Sequence, residues 1–533
     1  MTLAVLRALH AIIGDALEDI DAVYSTAASS RSSSCTLPKE PEADVLPPSP
    51  ASSTQPKSSA RRAGTPPLLS NHSPTPATTL SVSAPSKRII DFPSLDDPVD
   101  PADDADAEAE RLRSNPAVAN AVSRIVAACG QLSITVRSPF LVLCDAGMGY
   151  HLPSALRFLE AAHIPELLRP AGPEGLHVSA ISAALGVDAE VEGRIAHILR
   201  LLATHHLLIE REPNVFALNR ISAMLDTGKT YADVARAPEK KYESTNGVAA
   251  FFALNTDELF KASAYLTESI LPHTAPPEEL TVPSTNPSPA PPLSPRTGSH
   301  FWAWLEAPGN EARLARFGSA MGGSRGWEED GIEAFPFASL PDGALVVDVG
   351  GGIGSTSMLL AERFKGLRFV IQDREAVCKL GRDAWRARCP ELLEEGRAVF
   401  QVHDFFTPQP ARHTPVGAFI LRVILHDWPD AFARRILVQL RRAAAPDTFL
   451  VIGDHVLPYA CAIEGAEALR TLRGAKWPLL ANLGQASANA YWMDLTMQVT
   501  FNGLERTLPE LVALTASAGW RIVRVARTEG SLF

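Results

Sequence analysis

One stretch limits the fold more than any other. ALVVDV, residues 344–349, runs straight into Gly350, Gly351, Gly352, Ile353 and Gly354, and helical spacing begins at Ser355. A short apolar run rich in β-branched residues and ending in glycines reads as a buried strand that turns sharply into a helix. The alternation then repeats: RFVIQ (368–372), AVFQV (398–402), AFILRVIL (418–425) and FLVIGD (449–454) read as strands, and FARRILVQLRRAA (432–444) as a helix. Strands alternating with helices predict an α/β, doubly wound parallel sheet, whose ligands lie outside the carboxyl ends of the strands.

Upstream the period changes. Residues 151–222 carry helical spacing (Leu156, Phe158, Leu159; Ile181, Leu185; Ile195, Ile198, Leu199, Leu202), then the strand-like pieces LLIE and VFALN. Three helices and a hairpin predict a mainly α, winged-helix-like unit, whose usual work is DNA binding. Its second and third helices offer few basic residues beyond Arg194 and Arg200, however. The whole chain carries a net charge of -11 (49 Lys and Arg against 60 Asp and Glu), which gives no general attraction for phosphate backbones or anionic lipid. A dimerisation and substrate-lid scaffold is the better reading, with neither nucleic acid nor membrane as partner.

Composition divides the rest. An amphipathic helix is expected at 1–24, a disordered Ser/Pro-rich linker at 25–88, a helical and winged-helix-like domain at 89–235, a helical lid at 236–335 with a Pro-rich insertion at 274–298, and the α/β domain at 336–533. The stretch near 461–489 reads as a further, partly helical insertion. Six cysteines (Cys35, Cys129, Cys144, Cys378, Cys389, Cys461) are scattered without CxxC or zinc-like spacing, so reduced thiols, a cytoplasmic protein and no metal are expected. The N-terminus meets Asp15, Glu18 and Asp19 before any cleavage-like site, and no apolar run approaches the roughly 18 residues of a membrane span.

The glycines let a ligand approach backbone that a Cβ would block, and Asp373, ending the second strand, is placed to accept from ribose hydroxyls. An adenosine-containing cofactor follows. Nicotinamide dinucleotides favour GxGxxG and a pyrophosphate on the helix N-terminus; here the run is G-G-G-x-G with Ser355 in sixth place. Asp348, just before the loop, suits the sulfonium cation of S-adenosylmethionine, or else caps the turn backbone. Asp404 and Phe405 follow the third strand, where they would meet an adenine amino group and ring, or serve as ordinary turn and core residues.

LRVILHDWPD, residues 421–430, closely resembles the motif around the catalytic base of plant caffeic-acid-type and fungal small-molecule O-methyltransferases. VVDVGGGIG, VIQD, HDFF and MDLTMQVTFNGLERT fall in that family's order. The resemblance covers the chain from about Leu345 onward and the winged-helix block more loosely. It implies a Rossmann-like methyltransferase domain at the C-terminus, S-adenosylmethionine as cofactor, a small hydroxylated aromatic or polyketide-like acceptor, and a homodimer. By position it implies His426 as base, Asp454 and Glu505 as the acids that orient it, Arg422 on the cofactor, and Trp428, Met493 and Met497 on the acceptor. Asp454 departs from the family's frequent Glu by one methylene.

The chemistry asks for such groups. A neutral phenol, pKa about 10, is a poor nucleophile toward a sulfonium methyl. A histidine of ordinary pKa, about 6.5, is largely neutral at pH 7 and can take the proton, an effect worth about 10²–10⁴ in rate. His403, His413 and His455 also lie near strand ends, so the motif, not composition, selects His426. Two rival functions are a member of the same fold that binds cofactor without methyl transfer and a ligand-sensing winged-helix transcription factor. The latter predicts a basic recognition helix.

Overall fold

The computed structural model describes residues 2–33, 90–100, 102–271, 301–323, 335–461 and 477–526. Most of the Ser/Pro-rich linker and all of the 274–298 insertion lie outside these residues, as does 462–476 in the Ala/Leu-rich stretch. The N-terminal helix is longer than expected, Leu3–Ser33 rather than ending at 24. Tyr24 Oη donates to Ala109 O at 2.8 Å, and the Ser25 and Thr26 hydroxyls bond back one turn, so this polar tail stays helical where composition reads as linker. That helix packs on Pro116–Val136 around Ala16, Ile20, Tyr24, Val118 and Ala121.

Pro116–Val136 is long and apolar enough, by length and composition alone, to cross a membrane, contrary to the sequence reading. Its interrupting charge Arg124 pairs with Asp19 of the N-terminal helix, and small residues (Ala121, Ala127, Ala128) make its buried face. Such an Ala-rich packing stripe satisfies the same test as a spanning helix, so it carries no membrane assignment.

The helical unit upstream contains helices Val178–Leu185 and Ala189–Thr204 and three short strands, β1 (Leu176–His177), β2 (Ile209–Glu212) and β3 (Val215–Ala217), in the order β1-β3-β2. Two-residue β1 had too few residues to show a period. Leu159, Ile164, Ile181, Leu199 and Phe216 are fully buried at its centre. Buried Lys241 joins this unit to the helices that follow: its Nζ lies 2.6 Å from Glu160 Oε1, whose carboxylate also accepts from Tyr242 Oη.

Among the described residues the α/β domain has five parallel strands, β4 (Leu345–Val349), β5 (Arg368–Asp373), β6 (Ala398–Val402), β7 (Val416–Arg422) and β8 (Phe449–Gly453), in the order β6-β5-β4-β7-β8. Every residue of β4 is buried, as a central strand covered on both faces requires. The chain moves outward from β4 to β6 and then returns to β4's other side, so the strand order reverses between β4 and β7. Crevices at such a reversal, at the carboxyl ends, are where doubly wound sheets bind ligands.

Strand β7 is shorter than AFILRVIL suggests. It stops at Arg422 because Val423 takes φ 49°, and a single 3₁₀ turn, Leu425–Asp427, follows. A β-branched residue in the left-handed region costs about 1–3 kcal/mol, which the Val423 N–H bond to Gly453 O at 2.9 Å helps offset.

Candidate active site

The glycine loop opens at the end of β4. Gly350, Gly352 and Gly354 have φ of 72°, 60° and 80°, conformations that side chains rarely adopt. A Cβ on Gly351 would stand 2.5 Å from Asp348 Cγ, whereas one on Gly352 would meet nothing within 4 Å. Backbone at Gly352 therefore borders open space that a flat or extended ligand can enter. Trp385, fully buried, donates from Nε1 to Ile353 O at 3.0 Å and holds the loop from behind.

Asp348 is 2% exposed and accepts from Ser357 Oγ at 2.7 Å. The carboxylate lies against the loop at Gly351 and ties it to the first turn of the helix that follows. Asp373 ends β5 facing the loop: its two oxygens accept the Gly352 N–H at 2.9 Å and the Arg374 N–H at 2.7 Å. Burial pushes its carboxyl up, against those two N–H bonds and the Arg374 charge. Asp404 is exposed and caps its own turn by accepting the Phe406 N–H at 2.9 Å. The ring of Phe405 lies beside Gly350 and Ile424, and Arg422 closes β7 against Gly453.

His426 rides the 3₁₀ turn after β7 and is 7% exposed. Its Nδ1 lies 2.7 Å from Glu505 Oε1 and its Nε2 3.5 Å from Asp427 Oδ1. A carboxylate oxygen accepts, so Nδ1 carries the proton and Nε2 is the nitrogen left for chemistry. Asp454, at the end of β8, makes no hydrogen bond to His426; burial raises its carboxyl while the Ile424 backbone N–H holds it down. Its side chain, a methylene shorter than the family's Glu, acts on His426 through charge alone. Glu505 alone fixes the ring.

Burial lowers the His426 pKa, but Asp427, Glu505 and Asp454 outweigh it and push the imidazole up to about 10. The three carboxylates thus favour the charged form of the ring over that of an imidazole of ordinary pKa. Burial raises Asp427 to about 7 and Asp454 to about 6, with the His426 charge opposing in each case. Asp427 and its role were invisible in the sequence, where it read only as part of a motif.

Glu505 reaches His426 from a segment that follows helix Ala488–Phe501. The Leu504 N–H donates to His426 O at 2.9 Å, and the Glu505 N–H to Asp494 Oδ1 at 2.8 Å. Segment and turn pass so close that a Cβ on Gly503 would stand 2.0 Å from His426 O. Met497 is buried beside Phe301, Leu305 and Phe501, with Met493 and Trp302 at the edge of the same cluster. Trp302 stacks on Phe501 at 5.5 Å, and the Arg374 guanidinium lies over the Trp302 ring at 5.0 Å. The two methionines therefore line an apolar wall adjoining the His426 turn, on which their helix packs. Trp428 is not part of it. Its ring sits edge-on to Phe405 and Phe406 and stacks with Phe432, on the glycine-loop side. Among the described residues no group of three or more His, Cys, Asp or Glu could hold a metal ion.

A family profile for the O-methyltransferase domain matches residues 321–472. An O-methyltransferase of Armillaria gallica is 38% identical over 427 residues, 78% of this chain and 88% of that protein. The 4-O-methyltransferase 1 of Phanerochaete chrysosporium is 36% identical over 447 residues, 83% of this chain and 91% of that one. Among solved structures, the SAH-bound form of CalO1, a methyltransferase in calicheamicin biosynthesis, shares the fold with a TM-score of 0.52 at 23% identity, over 74% of this chain and 95% of that one. The chain belongs to the O-methyltransferase family.

Proposed function

We propose that the protein transfers a methyl group from S-adenosylmethionine to a phenolic or enolic hydroxyl of a small aromatic or polyketide-like metabolite, with His426 as the base. The observation that carries this reading is the 2.7 Å bond from His426 Nδ1 to Glu505, which turns the ring so that Nε2 is available. The residues present fit the cofactor: open backbone at Gly352, a carboxylate at Asp373 beside it, and the Phe405 face at Gly350. When bound, S-adenosylmethionine supplies an electrophilic methyl on a sulfonium. Phe405 and Trp428 give an aromatic surface suited to adenine, Asp373 suits the ribose hydroxyls, and Arg422 suits a carboxylate.

On the acceptor side, Met493, Met497 and Trp302 suit a flat apolar molecule. Nε2 takes the hydroxyl proton as the methyl moves, and Glu505 stabilises the resulting imidazolium. A cation bound near His426 lowers its pKa, which frees Nε2 at the pH where the protein works. Rate beyond that comes from alignment, worth about 7–11 kcal/mol for well-oriented reactants.

A homodimer is part of the proposal. Helix Pro139–Met148 buries none of its residues within the chain and exposes Phe140, Leu141 and Leu143, a face suited to a second copy. A cytoplasmic location accords with the unpaired thiols of Cys129, Cys144, Cys378, Cys389 and Cys461.

The test is titration calorimetry of S-adenosylmethionine and, separately, NAD into the wild type and Asp373→Ala, followed by turnover of phenolic acceptors with His426→Ala. Binding of the sulfonium compound that the Asp373 variant loses, and turnover that the His426 variant loses, is expected. Preference for NAD, or full turnover without His426, refutes the proposal.

A further inference from the structure

We infer that Arg506 is a positioning residue that holds His426 and Glu505 in register. The side chain is 2% exposed, and all three guanidinium nitrogens are engaged. Nη1 donates to Leu425 O at 2.9 Å and Nη2 to Trp428 O at 2.7 Å, while Nε donates to Asp430 Oδ1 at 2.9 Å. Those two carbonyls bracket the 3₁₀ turn that carries His426. One planar cation therefore fixes both ends of a single turn, a task for a rigid fork rather than for a flexible ammonium.

The need for such a clamp is visible just upstream. Val423 leaves β7 in the left-handed region, so the strand does not hand the turn a relaxed backbone. The turn must be held from outside, and the holder is the residue next to Glu505 in the chain. Arg506 is itself anchored, because the Leu457 N–H donates to Arg506 O at 3.0 Å where Val456 and Arg506 form a parallel bridge beyond β8. The exits of β7 and β8 and the Glu505 segment thus meet at one residue. With the backbone bond from Leu504 to His426 O, this fixes where Nδ1 finds its carboxylate. The Arg506 charge also lowers the pKa of Asp454, which faces the same cluster.

The kinetic part of this inference rests on the methyl-transfer reading; its spectroscopic part does not. In the full chain, an imidazole N–H held to a carboxylate gives a far-downfield proton resonance, assigned here by its loss in His426→Gln. Arg506→Gln is expected to lose or shift that resonance. With an accepted phenol as substrate, kcat is expected to fall by about 10²-fold, as for a misplacement of about 1 Å, while the acceptor KM stays within about threefold. Arg506→Lys keeps the charge without the fork and is expected not to restore either signal.

If Arg506 acts through the His426 and Glu505 pair, Glu505→Gln combined with Arg506→Gln turns over within about threefold of Glu505→Gln alone. A lysine that restores both resonance and rate, or effects that simply multiply, overturns the inference. Should the Arg506 variants not fold, Asp430→Ala removes the carboxylate that accepts from Nε and lies 2.9 Å from Nη2, a side chain 71% exposed. It is expected to shift the resonance, and an unchanged resonance there overturns the inference equally. If Arg506→Gln loses the resonance yet even the wild type methylates nothing, the positioning role stands and the proposed reaction falls.

Discussion

Gly503→Ala is the sharpest perturbation the site offers, because the residue adds one methyl group at a known place. Gly503 does not occupy the left-handed region, so alanine's backbone preferences are satisfied and only contact decides the outcome. The new Cβ would stand 2.0 Å from His426 O and 2.7 Å from Asp427 C. Ordinary contact begins at about 3.5 Å, so the Glu505 segment and the His426 turn must part by about 1.5 Å in total. Their only direct backbone tie described above, from Leu504 to His426, stretches first. Misplacing a catalytic group by about 1 Å costs about 10² in rate, which is about 2.7 kcal/mol in the barrier. Overpacking itself destabilises by about 1–3 kcal/mol. The assay is kcat with saturating S-adenosylmethionine and a phenolic acceptor, alongside calorimetric affinity for the cofactor, whose glycine loop the substitution does not touch. A variant that folds, binds cofactor normally and keeps kcat within about threefold of wild type refutes the close-packed turn as the seat of catalysis.

Other perturbations separate the charges. Raised to about 10, the His426 imidazolium contributes stability that is fully present below its ordinary pKa of about 6.5 and is lost as pH rises through about 10. Asp454 and Asp427, also raised, bind their protons more tightly in the fold and push the same way. The Tm difference between wild type and His426→Gln is therefore expected to shrink from pH 7 to pH 10, and a constant difference counts against the charged ring. Glu505→Gln, which removes the carboxylate charge and offers an amide NH₂ that can reverse the ring's tautomer, is expected to lower kcat by about 10³-fold or more. Asp454→Asn removes a charge but no hydrogen bond to His426 and should cost about tenfold or less; equal losses would make Asp454 an orienting acid. Val423→Gly relieves about 1–3 kcal/mol of strain against a chain-entropy cost of about 0.4–1 kcal/mol. A higher Tm with lower kcat is expected, and a lower Tm shows that the φ of Val423 stores no strain.

The strands and the glycine loop were legible because their signals are local. β4 to β8 are each five to seven residues long and built round a short apolar run, and four glycines in five positions mark the turn. His426 and Glu505 were legible only through the family motif, since the two are 79 positions apart and no spacing rule joins them. Asp427, Gly503 and Arg506 escaped for the same reason. Asp427 matters through where Nε2 points, Gly503 through a carbonyl on another segment, and Arg506 through two more such carbonyls. The strain at Val423 ran against propensity, because a valine inside AFILRVIL reads as strand. The division of labour between Asp454 and Glu505 turned on a methylene whose effect appears only once the β8 exit is placed beside the turn.

The two sides of the proposed site come from different parts of the chain. Proton-handling groups sit at strand ends and on the segment that Arg506 fastens, whereas much of the apolar wall comes from Ala262, Phe301, Trp302 and Leu305, on helices outside the sheet. Mutations there can reshape the apolar wall proposed to meet the acceptor without touching the His426 turn or the glycine loop. Such a scaffold can diversify by changing its wall while inheriting its reaction intact, so divergence between related enzymes should concentrate in those helices, and the turn around His426 should change last.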